Sequence, residues 1–353
     1  MRILAIDPGT LTTAVAVGDE KNIEFYYEVN SEELSKRPEH LFEIINSLDP
    51  DLVVAPSGYG LPPIDLRKIE SKYRSAALLK YFDDPGIEEL RFISFFLNNI
   101  DSLKMPVIGL PSIYNLITVP EYRIYNRVDL GTSDKTALAI LASVIYSGED
   151  IERLKRANII VVELGAFTAG IAIANGEIID GVGGSLFPIG LVSRGGLDTE
   201  IAVLMRRRIY KRDVFSGGLR DLCGTTDLEE IRARCPTAYD RYIDDIAKTI
   251  AMLEVSIRKN SKIRDGVKIY LSGRGASLMI INSLKEYGFE EIDILPSYYG
   301  RPHIKRSVEG SLLYGLLWSG VKNKDILYVL GVLRGYREIK YYKDLLIEKL
   351  SSS

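Results

Sequence analysis

Residues Asn158 to Gly181 read Asn-Ile-Ile-Val-Val-Glu-Leu-Gly-Ala-Phe-Thr-Ala-Gly-Ile-Ala-Ile-Ala-Asn-Gly-Glu-Ile-Ile-Asp-Gly. Three apolar runs stand in this stretch, at Ile159–Val162, Thr168–Ala174 and Glu177–Asp180. Runs of this length and β-branched content predict strands. Asn175-Gly176 between the second and third is a two-residue hairpin signal, because a type I′ turn needs positive φ at both positions. Gly165-Ala166, between the first and second, carries almost no side chain. An anion could approach its backbone N–H groups closely, and Glu163 stands at its mouth. A plain tight turn would have the same composition.

Repetition gives the turn more meaning. At the N-terminus an apolar strand, Ile3–Ile6, runs into Asp7-Pro8-Gly9-Thr10 and then a second strand, Thr13–Val17. A third turn of small residues, Ser272-Gly273-Arg274-Gly275-Ala276-Ser277, follows strand Lys268–Leu271 and opens an apolar helix. Two acid-bearing hairpins and a late glycine turn fit two related α/β halves closing on one nucleotide.

This set resembles the superfamily of acetate and sugar kinases, Hsp70 and actin, over about residues 1–320. The resemblance implies two actin-like, ribonuclease H-like domains with a hinged nucleotide cleft between them. It makes Asp7, Gly9 and Thr10 the first phosphate loop and Gly165, Ala166 and Thr168 the second. Gly273, Arg274, Gly275 and Ala276 then belong to the adenosine loop. The expected division is 1–150, 151–322, and a C-terminal pair of helices in 323–353 packing back on the first domain.

At 353 residues the chain is long enough for two cores. A net charge of -3 gives no global reason to expect nucleic acid or an acidic membrane surface. No apolar run is long enough to span a bilayer. Cys223 and Cys235 match neither a disulfide framework nor a zinc spacing, which points to reduced thiols in the cytoplasm. Glutamine is absent while Lys, Arg, Glu, Ile and Tyr abound, a balance expected of a thermophile.

Further candidates come from loops after strands. Asp51–Ala55 runs into Pro56-Ser57-Gly58-Tyr59-Gly60-Leu61-Pro62-Pro63. Ligand loops of open α/β sheets lie at such carboxyl ends. This loop is similar to that of butyrate kinases, which implies substrate contacts from Ser57, Gly58, Tyr59 and Gly60. Ser57 stands where that family has an arginine. Asp129-Leu130-Gly131-Thr132-Ser133-Asp134-Lys135 opens a helix to about Tyr146, with Thr132 or Ser133 as its cap. It resembles an acetate kinase segment in which histidine stands at the position of Asp134. The free N–H groups of that helix end, with Lys135, would face the transferred phosphoryl group. Arg194, set among glycines and followed by Asp198, resembles the arginine segment of the same kinases. Glu309, on the predicted helix Lys305–Gly320, resembles an acid near their metal; small residues there would let two helices approach. Residues 213–236 read as an irregular insert, and Arg206–Arg208 with Lys211-Arg212 as a solvated basic face of a helix.

The resemblance implies an ATP-dependent kinase acting on a short-chain carboxylate of the butyrate or acetate type. Arg194, Asp134 and Asp198 would be its catalytic residues. Asp7, Glu163 and Glu309 would hold Mg²⁺. The expected partners are a small-molecule acceptor and a second copy of the chain as a homodimer, with no nucleic acid and no membrane. A sugar-type kinase using Asp134 or Asp198 as base, an actin- or Hsp70-like ATPase, and a metal-dependent nuclease are the alternatives.

Overall fold

The computed structural model describes residues 1–79, 87, 90–261 and 266–339. Its first five strands are β1 (Ile3–Pro8), β2 (Thr12–Gly18), β3 (Ile23–Asn30), β4 (Leu52–Val54) and β5 (Val107–Ile108). The next five are β6 (Ile159–Leu164), β7 (Thr168–Ala174), β8 (Glu177–Val182), β9 (Lys268–Ser272) and β10 (Ile292–Ile294). They make two sheets, ordered β3-β2-β1-β4-β5 and β10-β9-β6-β7-β8. In each, three antiparallel strands joined by hairpins are extended by two parallel ones. Reversed, the second order is the first, so one topology is used twice. Asn175 and Gly176 sit at φ 51° and 77°, as a type I′ turn demands. Parallel neighbours need crossovers. Helices Glu39–Leu48 and Arg91–Asn99 lie on those paths in the first half, and Pro236–Asn260 and Leu278–Lys285 in the second.

Alternation along the strands assigns the faces. Leu4, Ile6, Val15 and Val17 pack outward with Phe92, Phe96 and Leu97. Ile160, Val162, Leu164 and Ala172 pack with Ile243, Ile246, Ile250 and Leu253 of helix Pro236–Asn260. The opposite faces, Ile3, Ala5, Ala14 and Ala16 on one sheet and Ile159, Val161, Ile171 and Ile173 on the other, share a central core.

Two helices fill that core. Ser133–Ser147 packs on β6 and β7, Arg306–Trp318 packs on β1, β2 and β4, and the two pack on each other. Being enclosed, both are apolar nearly all round. Each fully buried leucine or isoleucine here, such as Leu138, Ile140, Leu312 or Leu316, contributes roughly 1.5–3 kcal/mol. Gly310 sets their separation: a Cβ there would lie 2.1 Å from the Ala137 carbonyl oxygen. Gly315 performs the same service against Ile3 and Val54 of the first sheet.

Two expectations are corrected. Residues 213–236 are largely helical, with Leu219–Cys223 and Leu228–Arg234, the second capped by Asp227. Arg206–Tyr210 lies between helices Thr199–Leu204 and Lys211–Val214, outside any helix. The segment after the central helices touches both halves. Helix Asp325–Leu330 packs near β8, Arg334 pairs with Glu177 at 2.6 Å, and Arg337 donates to the carbonyls of Tyr114, Leu116 and Val119. The final helix expected from the sequence lies in 340–353, outside the described residues.

Candidate nucleotide and acceptor site

Because the two sheets share one topology, equivalent strand ends face each other. Asp7 is the fifth residue of β1 and Glu163 the fifth of β6. Each stands at the mouth of its hairpin turn, and each meets a lysine from the start of a central helix. Lys135, in the first turn of Ser133–Ser147, pairs with Glu163 and with its neighbour Asp134. Lys305, the cap residue of Arg306–Trp318, lies 3.3 Å from Asp7 and donates to the Thr12 carbonyl. Thus the helix following one sheet supplies the cation for the acid of the other.

Between these pairs lies one cavity of about 510 Å³. Its walls include Asp7–Thr12, Glu163, Gly165–Phe167, Ser272–Arg274 and Ala276. Gly58, Tyr59, Asp129 and Gly131–Lys135 line it as well. All three turns read from the sequence therefore open into the same space. The glycine turn after β9 is pinned to the end of β6, with Gly275 N donating to Leu164 O at 2.8 Å. At Gly273, φ is 87° and a Cβ would come 2.7 Å from the same carbonyl, so glycine is needed twice over.

The electrostatics follow from burial. Burial works against the charge on Lys135, but Asp134 and Glu163 more than offset it and raise its pKa. Burial would raise Asp134, yet Lys135 and the Thr132 hydroxyl hold it below the ordinary carboxylate value. Glu163 is raised, by burial first, with Asp134 and Asp7 adding to it and Lys135 opposing. Thr132 caps the helix by position only; its hydroxyl bonds Asp134 instead of a backbone N–H. At the glycine turn Arg274 donates to Glu28 at 2.8 Å and to Thr12 Oγ1 at 3.0 Å, linking β9 to β2 and β3 across the cavity. Against the cost of its burial, bonds from Thr12, Tyr26 and Arg274 and the charge of Lys305 keep Glu28 below its usual value.

Several residues expected at the site lie elsewhere. Arg194 does not line the cavity: its guanidinium donates to Ser216 O at 3.1 Å and Ser216 Oγ at 3.2 Å. Its loop is drawn under the second turn, where Val192 N and Ser193 N donate to Ala166 O. Asp198 caps helix Thr199–Leu204 through Glu200 N. Glu309 is fully buried, 2.8 Å from Arg306 and hydrogen-bonded by Ser297, away from the cavity wall. Burial raises its pKa, with Ser297 and Arg306 opposing. Ser57 is buried too; it donates to Ala55 O and accepts from Leu110 N, pinning the loop rather than facing the cavity. Gly60 is the turn that this requires, at φ 103° with Asn115 Oδ1 1.8 Å from a would-be Cβ. Thr168 is enclosed beside Tyr242 behind the second turn, and Gly275 also stands behind the wall. Arg123 is buried 3.5 Å from Asp180, also away from the cavity. The residues missed from sequence are Lys305, Lys211 and Glu28. Lys305 was visible as the counterpart of Lys135 at the start of the second central helix; Lys211 and Glu28 carried no local signal.

Among the described residues no group of three His, Cys, Asp or Glu side chains is placed to hold a metal ion. The donor set fits a different arrangement. Asp7 and Glu163 face one cavity, and Mg²⁺ is usually held by one or two carboxylates together with water and substrate phosphates. No helix among the described residues is long and apolar enough to cross a membrane.

Two equivalent sheets, paired central helices and a shared cavity define the two-domain actin-like fold. Solved structures agree. Acetate kinase from Entamoeba histolytica superposes with a TM-score of 0.55 at 15% identity, covering 82% of this chain and 86% of its own. A propionate kinase from Francisella tularensis subsp. tularensis gives 0.55 at 14%, covering 80% and 86%. Acetate kinase from Porphyromonas gingivalis gives 0.54 at 12%, with the same coverages of 80% and 86%. By sequence, the chain belongs to the family described as "Protein of unknown function (DUF1464)", whose model matches residues 5–338. No curated protein matches it in sequence.

Proposed function

We propose that the protein is an ATP-dependent phosphotransferase acting on a small carboxylate. The observation that carries this reading is the convergence of Asp7–Thr12, Gly165–Phe167 and Ser272–Arg274 on one cavity. Backbone N–H groups at glycine turns and a helix N-terminus suit polyphosphate. The likeness to solved acetate and propionate kinases supports the same reading.

Phosphoryl transfer asks for alignment and for neutralisation of a highly anionic transition state. With Arg194 turned to Ser216, Lys135 and Lys305 are the cations beside the two acid-bearing hairpin turns that could do this. Each is held by a carboxylate beside a phosphate turn and has one further N–H donor to offer. Asp7 and Glu163 would hold Mg²⁺, which supplies charge neutralisation at the phosphate oxygens. A carboxylate acceptor suits the site because its oxygen is already nucleophilic. An alcohol would need a base, and Asp134, kept acidic by Lys135, is a poor one.

The test is calorimetric titration with Mg·AMPPNP, followed by ADP release over a panel of carboxylates and alcohols with hydroxylamine to trap acyl phosphate. The expected result is one nucleotide site per chain and carboxylate-dependent hydroxamate. Absence of nucleotide binding overturns the kinase reading. Turnover with alcohols alone overturns the carboxylate, and ADP release indifferent to every acceptor points to an actin-like ATPase.

A further inference from the structure

The second central helix, Arg306–Trp318, is reached from β10 through residues 295–305, Leu-Pro-Ser-Tyr-Tyr-Gly-Arg-Pro-His-Ile-Lys. With two prolines and no periodic pattern, this loop forms neither helix nor strand, so its carbonyls need partners from outside a ladder. Four of them are taken by one side chain. Arg306 donates from Nε to Leu295 O at 3.2 Å, from Nη1 to Arg301 O at 3.2 Å and Ile304 O at 2.7 Å, and from Nη2 to Pro302 O at 3.0 Å. A guanidinium carries five N–H donors in a rigid plane, so it can fix several points of a loop at once. Nη1 also reaches Glu309 Oε2 at 2.8 Å, one helical turn further on. Glu309 Oε1 accepts from the Ser297 hydroxyl, and Ser297 Oγ accepts from Arg301 N at 2.7 Å. The Glu309 carboxylate is thus engaged at both oxygens within the loop it closes.

What the loop delivers is Lys305. Its ammonium lies 3.3 Å from Asp7, donates to Thr12 O at 2.5 Å, and stands 3.0 Å from the point where a Cβ on Gly9 would lie. It is therefore seated in the first phosphate turn. A lysine stem is flexible and its ammonium has no directional preference, so the placing has to come from the backbone at 305. That backbone lies between Ile304, whose carbonyl Arg306 holds, and Arg306 itself. Two tyrosines fasten the loop from outside: Tyr298 donates to Glu149 Oε1 and Tyr299 to Asp19 O in the turn between β2 and β3, both at 3.0 Å. A buried ion pair is often no more stabilising than apolar side chains of similar volume. Its hydrogen bonds, in contrast, hold one geometry.

We propose that Arg306 and Glu309 are positioning residues for Lys305: the guanidinium gathers residues 295–305, the buried carboxylate locks the guanidinium, and the ammonium is thereby held at Asp7 in the first phosphate turn. This takes the place of the metal-holding role expected of Glu309. What Lys305 does there rests on the kinase reading; where it is held does not.

The first test needs no nucleotide. Protein labelled with ¹³C at lysine Cε is studied by NMR, the Lys305 signal being assigned by its loss in Lys305→Arg. In wild type, Asp7→Asn should shift that signal. In Glu309→Gln, and in the double variant Arg306→Gln/Glu309→Gln, which strands no buried charge, the Lys305 signal should move and should no longer respond to Asp7→Asn. A Lys305 signal that keeps its wild-type position in both variants, or that ignores Asp7→Asn in wild type, refutes the assignment. The second test is turnover in butyrate-dependent hydroxamate formation. Misplacing the cation should lower kcat on the order of 10- to 100-fold in E309Q, with the KM for butyrate moving less. Because E309Q acts through Lys305, it should add less than about 3-fold to the loss in Lys305→Met. Equal losses from E309Q with and without Lys305 overturn the positioning role. Titration of wild type with Mg·AMPPNP reports separately on the kinase reading, so a failure there leaves the NMR result standing on its own.

Discussion

Lys135→Met removes the cation that both Glu163 and Asp134 depend on. The side chains of Lys135, Glu163 and Asp134 are 11%, 17% and 23% exposed, so water replaces little of what is lost. Taking one partner from a buried ion pair costs about 3–5 kcal/mol, mostly through the charge left behind. Glu163 is already raised by its burial, and without Lys135 it would rise further and take up a proton. That relief places the expected loss near the lower figure, about 3 kcal/mol. Adding Glu163→Gln removes the stranded carboxylate, so the double variant should recover about 1–2 kcal/mol of coupling. On the proposed function, turnover should not recover, because the cation assigned to the phosphoryl group is still missing; a loss on the order of 10²–10³ is expected in both. Urea unfolding followed by Trp318 fluorescence reads the first quantity and ADP release the second. Lys135 also gives a pH signature. Its folded pKa is raised, so its contribution is complete below the ordinary value of 10.5 and fades as pH climbs through the folded value. If K135M unfolds at the wild-type midpoint, or if E163Q restores turnover, the paired-acid account is wrong.

Gly310→Ala sets a Cβ 2.1 Å from the Ala137 carbonyl oxygen, so the central helices must separate; a loss of about 1–3 kcal/mol is expected in thermal or urea unfolding. Arg194→Ala should leave ADP production within a few-fold of wild type, since its guanidinium is committed to Ser216; a near-total loss would return Arg194 to the reacting centre. Arg274→Ala cuts the link to Glu28 and Thr12 and should speed nucleotide dissociation in stopped-flow exchange, with the turnover number less affected. Because Glu28 is held below its ordinary 4.5, that link is present above 4.5 and lost as pH falls through the folded value. Nucleotide affinity should therefore weaken on the acid side in wild type and lose that dependence in Glu28→Gln.

The strands were legible because strand formation is local. Alternating or continuous β-branched runs bounded by Asn-Gly, Asp-Pro-Gly or Ser-Gly carry their own boundaries, and each such run is a strand. The helix Ser133–Ser147 was legible for the same reason, from the residues at its start. Residues 213–236 misled because their glycines read as loop. Gly218 and Gly224 instead begin and end a five-residue helix, Leu219–Cys223, with Gly224 at φ 76°. Arg194 misled differently. A guanidinium among glycines looks free along the chain, but the fold brings Ser216 beside it from twenty-two residues away.

By itself the sequence determined two halves of one design, each a hairpin with an acid at its mouth, because hydrophobic period and turn chemistry act over a few residues. It also placed the three small-residue turns at which a backbone can meet phosphate. The tertiary structure decided which charges share the cavity: Lys305 with Asp7, Arg274 with Glu28, Lys211 with Tyr59, and Glu309 hidden with Arg306. The first three of these pairs, separated by well over a hundred residues, meet only once the two central helices have set the distance between the sheets. Long flexible side chains leave no periodic trace of where they will end.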